Sequence, residues 1–300
     1  MAWQRKIALI TGGVSGIGFG IARAFSAAGI DLILTYRNEA YRARAEAWFQ
    51  RHARAVPRFV FLDVTDRGRW AEVGDEAGPV HILVNNAGVS VFGPTDEANF
   101  ADYDWIIGVN FGGVVNGLVT FIPRIKAQGL GGHIVNVASM AAYLPGPQAG
   151  IYTTSKFAVR GLTESLRFNL APHGIGVSLM CPGLTKTNAW DSALKRPADF
   201  AASGFTSVDP AALAQFGAAF DAGMDPLEVG EKTLAGMTEN RAVIFTHPEF
   251  AEDFAEIYRD CVAALPNEPA NEARLHIERL RREANRAAAA GKVIGLKDLT

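Results

Sequence analysis

Between a short apolar run, Ile7-Ala8-Leu9-Ile10, and a segment of helical periodicity, the chain carries Thr11-Gly12-Gly13-Val14-Ser15-Gly16-Ile17-Gly18. This junction constrains the fold more than any other stretch. An all-apolar strand belongs where both of its faces are covered, as in a parallel sheet. The helical segment puts Ile17, Ile21, Ala24, Phe25 and Ala28 on one face and stops at Gly29. Glycines between the two allow a tight turn and a close approach of the backbone to whatever lies above it. The alternation then repeats. Strands are predicted over Ile30–Thr35, Arg58–Leu62, Val80–Val84, His133–Ala138, Gly176–Met180 and Ala242–Thr246, and helices over Tyr41–Ala53, Val64–Glu76, Tyr103–Gln128 and 152–172. Such a pattern implies right-handed βαβ crossovers and an α/β fold with a doubly wound parallel sheet, helices on both faces.

The position of the glycine turn, after a buried strand and before a helix, also suggests what it holds. A helix N-terminus offers free N–H groups and partial positive charge, and glycines let a pyrophosphate reach them. We therefore predict a Rossmann-type dinucleotide site built by Gly12, Val14, Ser15, Gly16, Ile17 and Gly18. The end of the second strand selects the cofactor. NAD enzymes place an acidic side chain there for the ribose 2′-hydroxyl. This chain reads Thr35-Tyr36-Arg37-Asn38, with no carboxylate, and Arg37 can pair with a 2′-phosphate through its planar fork. NADP(H) is the expected cofactor and NAD(H) the alternative. Asp63, beside Val64 just past the third strand, either accepts a hydrogen bond from adenine or caps the next helix.

Six separate motifs stand in order: the glycine turn at 11–18, Asn85-Asn86-Ala87-Gly88 after the fourth strand, Asn110 in the long helix, Ser139 after the fifth strand, Tyr152-x-x-x-Lys156, and Pro182-Gly183 after the sixth strand. Over residues 5 to about 190 this resembles the short-chain dehydrogenase/reductase family. The resemblance implies a catalytic group of Ser139, Tyr152, Lys156 and Asn110. It also implies that Asn110 holds a water linking Lys156 to solvent. The segments 104–110 and 117–124 and the long tail are further similar to the Cα-dehydrogenases of bacterial lignin-dimer breakdown, which oxidise a benzylic alcohol in a bulky aryl ether with NAD. Tyr36 departs from those enzymes at the acidic position of the second strand.

The residue types suit the chemistry. Tyr152 and Lys156 stand four apart on a helix, so their side chains share a face. A phenol titrates near ~10, and a nearby ammonium is expected to lower that value. Tyr152 would then exchange a proton with the alcohol or ketone oxygen, which Ser139 steadies by a hydrogen bond. Lys156 is also expected on the nicotinamide ribose, Asn86, Ala87 and Gly88 beside the adenosine ribose, and Pro182, Gly183 and Thr187 beside the nicotinamide. The extended epimerase and dehydratase type is disfavoured, because Gly16 stands where its glycine spacing has another residue. A 3-oxoacyl-thioester reductase, a polyol dehydrogenase and a catalytically idle dinucleotide-binding sensor are the competing readings.

Residues 184–228 interrupt the strand–helix rhythm and are expected to form a substrate lid. Met140, Tyr143, Leu144 and Trp190 are candidates for an apolar pocket that takes a bulky hydrophobic or aryl secondary alcohol or ketone. The expected domain is single, 1–300, with a core at 5–190 and 228–247 and a helical extension over 248–300. The 29 basic and 31 acidic residues give no excess that asks for nucleic acid. Cys181 and Cys261 form no metal pattern and are expected to be buried, reduced thiols, with Cys181 packed rather than nucleophilic. No secretory signal precedes the first strand, and no uninterrupted apolar run reaches the ~18–20 residues that span a bilayer. A cytoplasmic homodimer or homotetramer without membrane, metal or nucleic-acid partners is expected, joined through the helices that carry Asn110 and Tyr152.

Overall fold

Seven strands run parallel in one sheet in the computed structural model, which describes residues 3–298. They are β1 (Ile7–Ile10), β2 (Asp31–Tyr36), β3 (Arg58–Phe61), β4 (Ile82–Asn85), β5 (Gly132–Val137), β6 (Ile175–Cys181) and β7 (Val243–Phe245). Their order in the sheet is β3-β2-β1-β4-β5-β6-β7. The chain first moves outward from β1 to β3 and then returns to β4 on the other side. The C-terminal ends of β1 and β4 therefore flank a switch point, where an open α/β sheet leaves a crevice for ligand.

Helices cover both faces. On one side lie α1 (Gly16–Ala27), α2 (Glu39–His52) and, late in the chain, α8 (Pro226–Thr238), whose Ile21, Phe25, Phe49, Val229 and Met237 share a core with Ile10, Leu34 and Val84. On the other lie α3 (Arg67–Glu76), α4 (Phe100–Ile107), α5 (Gly113–Gln128) and α6 (Gly150–Leu170). Their Trp70, Trp105, Phe121 and Val159 pack with Leu9, Leu83, Ile134 and Leu179. Helices α1 and α8 touch backbone to backbone. A Cβ on Gly20 would fall on the Pro226 carbonyl, and one on Gly230 on the Gly20 carbonyl. The lid region holds short turns at Ala189–Lys195 and Ala198–Phe200 and a single α7 (Pro210–Ala218). The extension forms α9 (Ala251–Ala263) and α10 (Glu272–Ala289).

The predicted elements are present with shifted ends, and three departures have physical causes. Helix α3 begins later than expected because Asp66 caps it, its Oδ1 accepting from Arg69 N–H at 3.0 Å. Asp63 is not the cap. The long helix over 103–128 is two helices joined by a π-turn at Gly108–Gly112 that carries Asn110, and it starts earlier, at a capping box formed by Asn99 and Asp102. The continuous stretch Phe100–Gln128 has the length and apolarity to cross a bilayer, which the sequence reading did not count. A majority of its most apolar window is buried inside this fold, as in a core helix. Cys181 is buried in β6, but Cys261 is exposed on α9, against the expectation of two buried thiols.

Candidate active site

Both sides of the switch point feed one cleft of about 1370 Å³. Its base is the glycine turn. Gly12 and Gly16 have φ of +62° and +50°, a backbone region that favours glycine. Ser15 occupies the N-cap of α1 without making a side-chain cap bond, so the first turn keeps N–H donors for an anion. Gly18 has a different duty. A side chain there would strike Gly12 O and Asn86 Nδ2, so its place is in packing α1 under the turn. Val14, Ser15, Gly16 and Ile17 line the cleft with Gly12, whereas Gly18 does not. Across from them Asn86, Ala87 and Gly88 line the wall. Thr11 Oγ1 accepts from the Asn86 and Ala87 N–H groups at 2.8 and 2.9 Å, and Asn86 Nδ2 donates to Thr11 O at 2.9 Å. These bonds tie the ends of β1 and β4 together. Glycines at 12 and 16, free N–H groups at 16–18 and a bare wall at 88 suit a dinucleotide.

At the outer end of the cleft, Arg37 donates from Nη1 to Asp63 Oδ2 at 2.9 Å. The other oxygen of Asp63 accepts from the Thr65 N–H and hydroxyl at 2.9 and 2.7 Å. Burial pushes the Asp63 carboxyl up, but the Thr65 bonds and Arg37 outweigh it and hold it below the ordinary carboxylate range. Both residues line the cleft with Val64, whose carbonyl accepts from Trp70 Nε1. The cation expected for a 2′-phosphate therefore already has a partner.

At the inner end, Tyr152 and Lys156 both line the cleft, one turn apart on α6. Lys156 Nζ donates to Val137 O at 3.2 Å and lies 5.5 Å from the centre of the Tyr152 ring. Burial drives this ammonium down to about 8. Burial also drives the Tyr152 phenol up, and the nearby Ser139 hydroxyl offsets part of that rise. This reverses the expected lowering of Tyr152 by its lysine. Loss of water at the inner end of the cleft outweighs the neighbouring charge. Ser139 Oγ also accepts from Ala141 N–H at 3.1 Å, which fixes the turn that follows β5. Asn110 is fully engaged: its Oδ1 accepts from Val89 N–H at 2.8 Å, and its Nδ2 donates to Val89 O at 2.9 Å and Ser155 Oγ at 3.0 Å. Gly88 sits between Asn110 and Lys156, where a Cβ would lie 3.1 Å from Asn110 Oδ1 and 3.6 Å from Lys156 Nζ. Cys181 is fully buried and its thiol is pushed up to about 12 by burial, so it packs and does not attack.

The lid crosses above. Pro182, Lys186, Thr187, Asn188, Ser192 and Lys195 line the cleft from this side, and the Thr187 methyl faces the Cα of Gly16. Gly183 does not line it. Its N–H donates to His247 Nδ1 at 3.0 Å, and a Cβ there would strike His247 and Phe250. None of the four apolar pocket candidates lines the cleft. Met140 is buried in the core, and Leu144 packs against it. Tyr143 stacks edge-on against Phe245 and Phe254, under the Arg160 guanidinium. Trp190 packs over Gly217 of α7. Apolar character marks these positions as packing, and nothing in the sequence says which apolar surface they pack on. Among the cleft residues that the sequence does not single out are Ser90, Trp105, Val109 and Ser192. Ser90 N–H donates to Ser192 Oγ at 3.1 Å, which joins wall to lid.

Residues 6–197 match the short chain dehydrogenase family model. Over 291 residues the chain is 35% identical to a C alpha-dehydrogenase of Sphingobium sp. strain NBRC 103272 / SYK-6, covering 93% of each. A short-chain dehydrogenase/reductase from Burkholderia phymatum, solved in complex with NAD, superposes with a TM-score of 0.81 at 32% identity, over 90% of this chain and 99% of that one. The apo form of LigO from strain SYK-6 gives 0.76 at 32% identity, over 98% and 100%.

Proposed function

The chain belongs to the short-chain dehydrogenase family, and from that premise we propose that it is an NADP(H)-dependent oxidoreductase that interconverts a bulky, hydrophobic or aryl-substituted secondary alcohol and its ketone. Family membership supports an oxidoreductase with a nicotinamide cofactor. The observation that carries the reaction is the pairing of Tyr152 and Lys156, one turn apart on α6, at the inner end of the cleft, with Ser139 on the turn after β5 close to the phenol. When bound there, the nicotinamide would supply the hydride chemistry. The glycine turn 12–18, Asn86 to Gly88, Pro182 and Thr187 would hold the dinucleotide. Tyr152, kept as a neutral phenol by burial, is suited to give a proton to the forming alkoxide and to take it back in the opposite direction. Ser139 hydrogen-bonds the same substrate oxygen. Lys156 places its ammonium beside the Tyr152 ring, and Asn110 holds the Val89 main chain beside them. The likeness to a C alpha-dehydrogenase across the whole chain supports the bulky aryl substrate.

NADP(H) rests on Arg37 and on the absence of a carboxylate at Tyr36. The pairing of Arg37 with Asp63, and the relative solved with NAD, favour NAD(H) as the second reading. Initial rates with a bulky aryl ketone decide between them. NADPH should win over NADH in the wild type, and Arg37→Ala should lower kcat/KM for NADPH by roughly 10-fold, the size of one charge-assisted bond, with NADH unchanged. Turnover favouring NADH would overturn the NADP(H) assignment. Exposed Val119 on α5 and Phe157 on α6 support a homodimer or homotetramer through those helices. Sedimentation equilibrium should give two or four chains, and a monomer at working concentration would exclude this.

A further inference from the structure

The lid is not loosely draped. Asp102 on α4 is fully buried, and three of the four bonds that its carboxylate accepts come from the segment 196–204. Its Oδ1 accepts from Arg196 Nη2 at 2.6 Å and from Ser203 Oγ at 2.8 Å, and its Oδ2 from Gly204 N–H at 2.9 Å and from its own capping partner Asn99 N–H at 3.1 Å. Arg196 is 9% exposed, and its guanidinium stands 4.7 Å from the centre of the Trp105 ring, which lines the cleft. This is the one ion pair among the described residues with both side chains under a tenth exposed. Surface pairs contribute little, whereas a buried pair broken on one side leaves an uncompensated charge. Next to Arg196, Lys195 reaches Tyr41 on α2, so the same short segment touches both walls of the cleft.

We propose that Asp102 and Arg196 are positioning residues that latch the segment 186–204 across the cleft before any ligand arrives, and so set how fast the dinucleotide leaves rather than how fast the chemical step runs. The latch is built from protein groups alone, so closure is a property of the free chain. Release of a bound dinucleotide then requires this ion pair, or the segment between Thr187 and Arg196, to open. The role rests on the cleft binding a nicotinamide dinucleotide.

The test uses the full chain with Asp102→Asn, which keeps the shape and removes the charge, and Ser203→Ala, which removes one bond and keeps the pair. Arg281→Ala on α10 serves as the surface control. Two readouts are taken: trypsin cleavage after Lys195 in the cofactor-free chain, and dissociation of NADPH and NADH followed by stopped-flow fluorescence. For Asp102→Asn both rates should rise by roughly 10-fold or more, the size of a lost bond to a charged group. KM for the dinucleotide should rise with them while kcat at saturation holds. Ser203→Ala should give a smaller rise in the same direction, and this variant decides the matter if Asp102→Asn does not fold. Unchanged cleavage and unchanged dissociation would overturn the latch, as would a fall in kcat with KM constant. If the wild type binds neither dinucleotide, the reading of the cleft fails, and the cleavage rates still decide whether Asp102 holds the segment.

Discussion

Beneath the floor of the cleft, Thr11, Asn110 and Lys156 are fastened to main-chain groups at the ends of strands or just beyond them: Asn86 and Ala87 N–H, both sides of Val89, and Val137 O. On the lid, Arg196 and Ser203 are fastened to one carboxylate about a hundred residues away in sequence, and Ser192 to the Ser90 N–H at a similar separation. The floor thus takes its geometry from the sheet, which the whole core enforces. The lid takes its geometry from a few polar bonds that can be removed one at a time. A substitution on the floor should therefore change the chemistry with the fold intact, and one on the lid should change access.

The largest expected effect tests the floor. Tyr152→Phe should lower kcat by about 10²- to 10⁴-fold, the range for a lost general acid–base, while dinucleotide affinity measured by fluorescence titration stays put. Retained turnover would move the proton chemistry elsewhere. Lys156→Met should also abolish most activity, yet it should raise the unfolding midpoint of the cofactor-free chain at pH 7 by about 2–4 °C. The sign follows from the depressed value. Between about 8 and 10.5 the unfolded lysine binds a proton that the folded one does not, so burial of the ammonium costs stability below that window and the cost disappears as pH rises through it. Calorimetry from pH 7 to 10 should show the two midpoints converging.

The carboxylate under the lid should behave in the opposite sense. Burial pushes Asp102 up, but the N–H groups of Asn99 and Gly204, the Ser203 hydroxyl and Arg196 outweigh it, and the group stays below its ordinary 3.8. Its stabilising contribution is full above that value and is lost as pH falls through the lower folded one. Acid titration of the tryptophan fluorescence should be flatter in Asp102→Asn than in the wild type. Gly88→Ala sharpens the contrast at smaller scale. Its Cβ would crowd Asn110 Oδ1, and a displacement costing about 1 kcal/mol would slow turnover by about fivefold. The smallest effect separates floor from exterior: Cys261 should react with a thiol reagent in the native chain and Cys181 only on unfolding, and Cys261→Ser should leave stability within about 0.5 kcal/mol.

The same contrast explains what could be read without coordinates. The glycine turn, Asn86 to Gly88 and the Tyr152–Lys156 pair were legible because each works through its own backbone position at the end of a strand or along one helix face. The Asp102–Arg196 pair was not, since neither neighbourhood names the other. The only local hint was an acid set among Phe100, Trp105 and Ile106, on a helix too apolar to leave it unpaired. Tyr143 and Trp190 stand outside the cleft, and the sequence does not show this because an aromatic side chain declares only that it will be covered. The direction of the Tyr152 shift is hidden for a related reason: sequence spacing reports the neighbouring charge and is blind to the loss of water. Of the two roles that its position allows Asp63, the helix cap belongs to Asp66 instead, and the structure adds an ion pair with Arg37 that no local pattern announces.

His247 accepts from Gly183 N–H with Nδ1 and meets Leu184 O with Nε2 at 2.8 Å. Thr246 Oγ1 lies 2.7 Å from the same Nδ1, so the ring is held on both of its nitrogens. The matched family segment ends at residue 197, yet the loop that closes it is splinted by a side chain 50 positions further on. The smallest working unit of this chain is therefore longer than the segment that the family model matches, and a chain trimmed to residue 197 would lose the brace of the loop that follows β6.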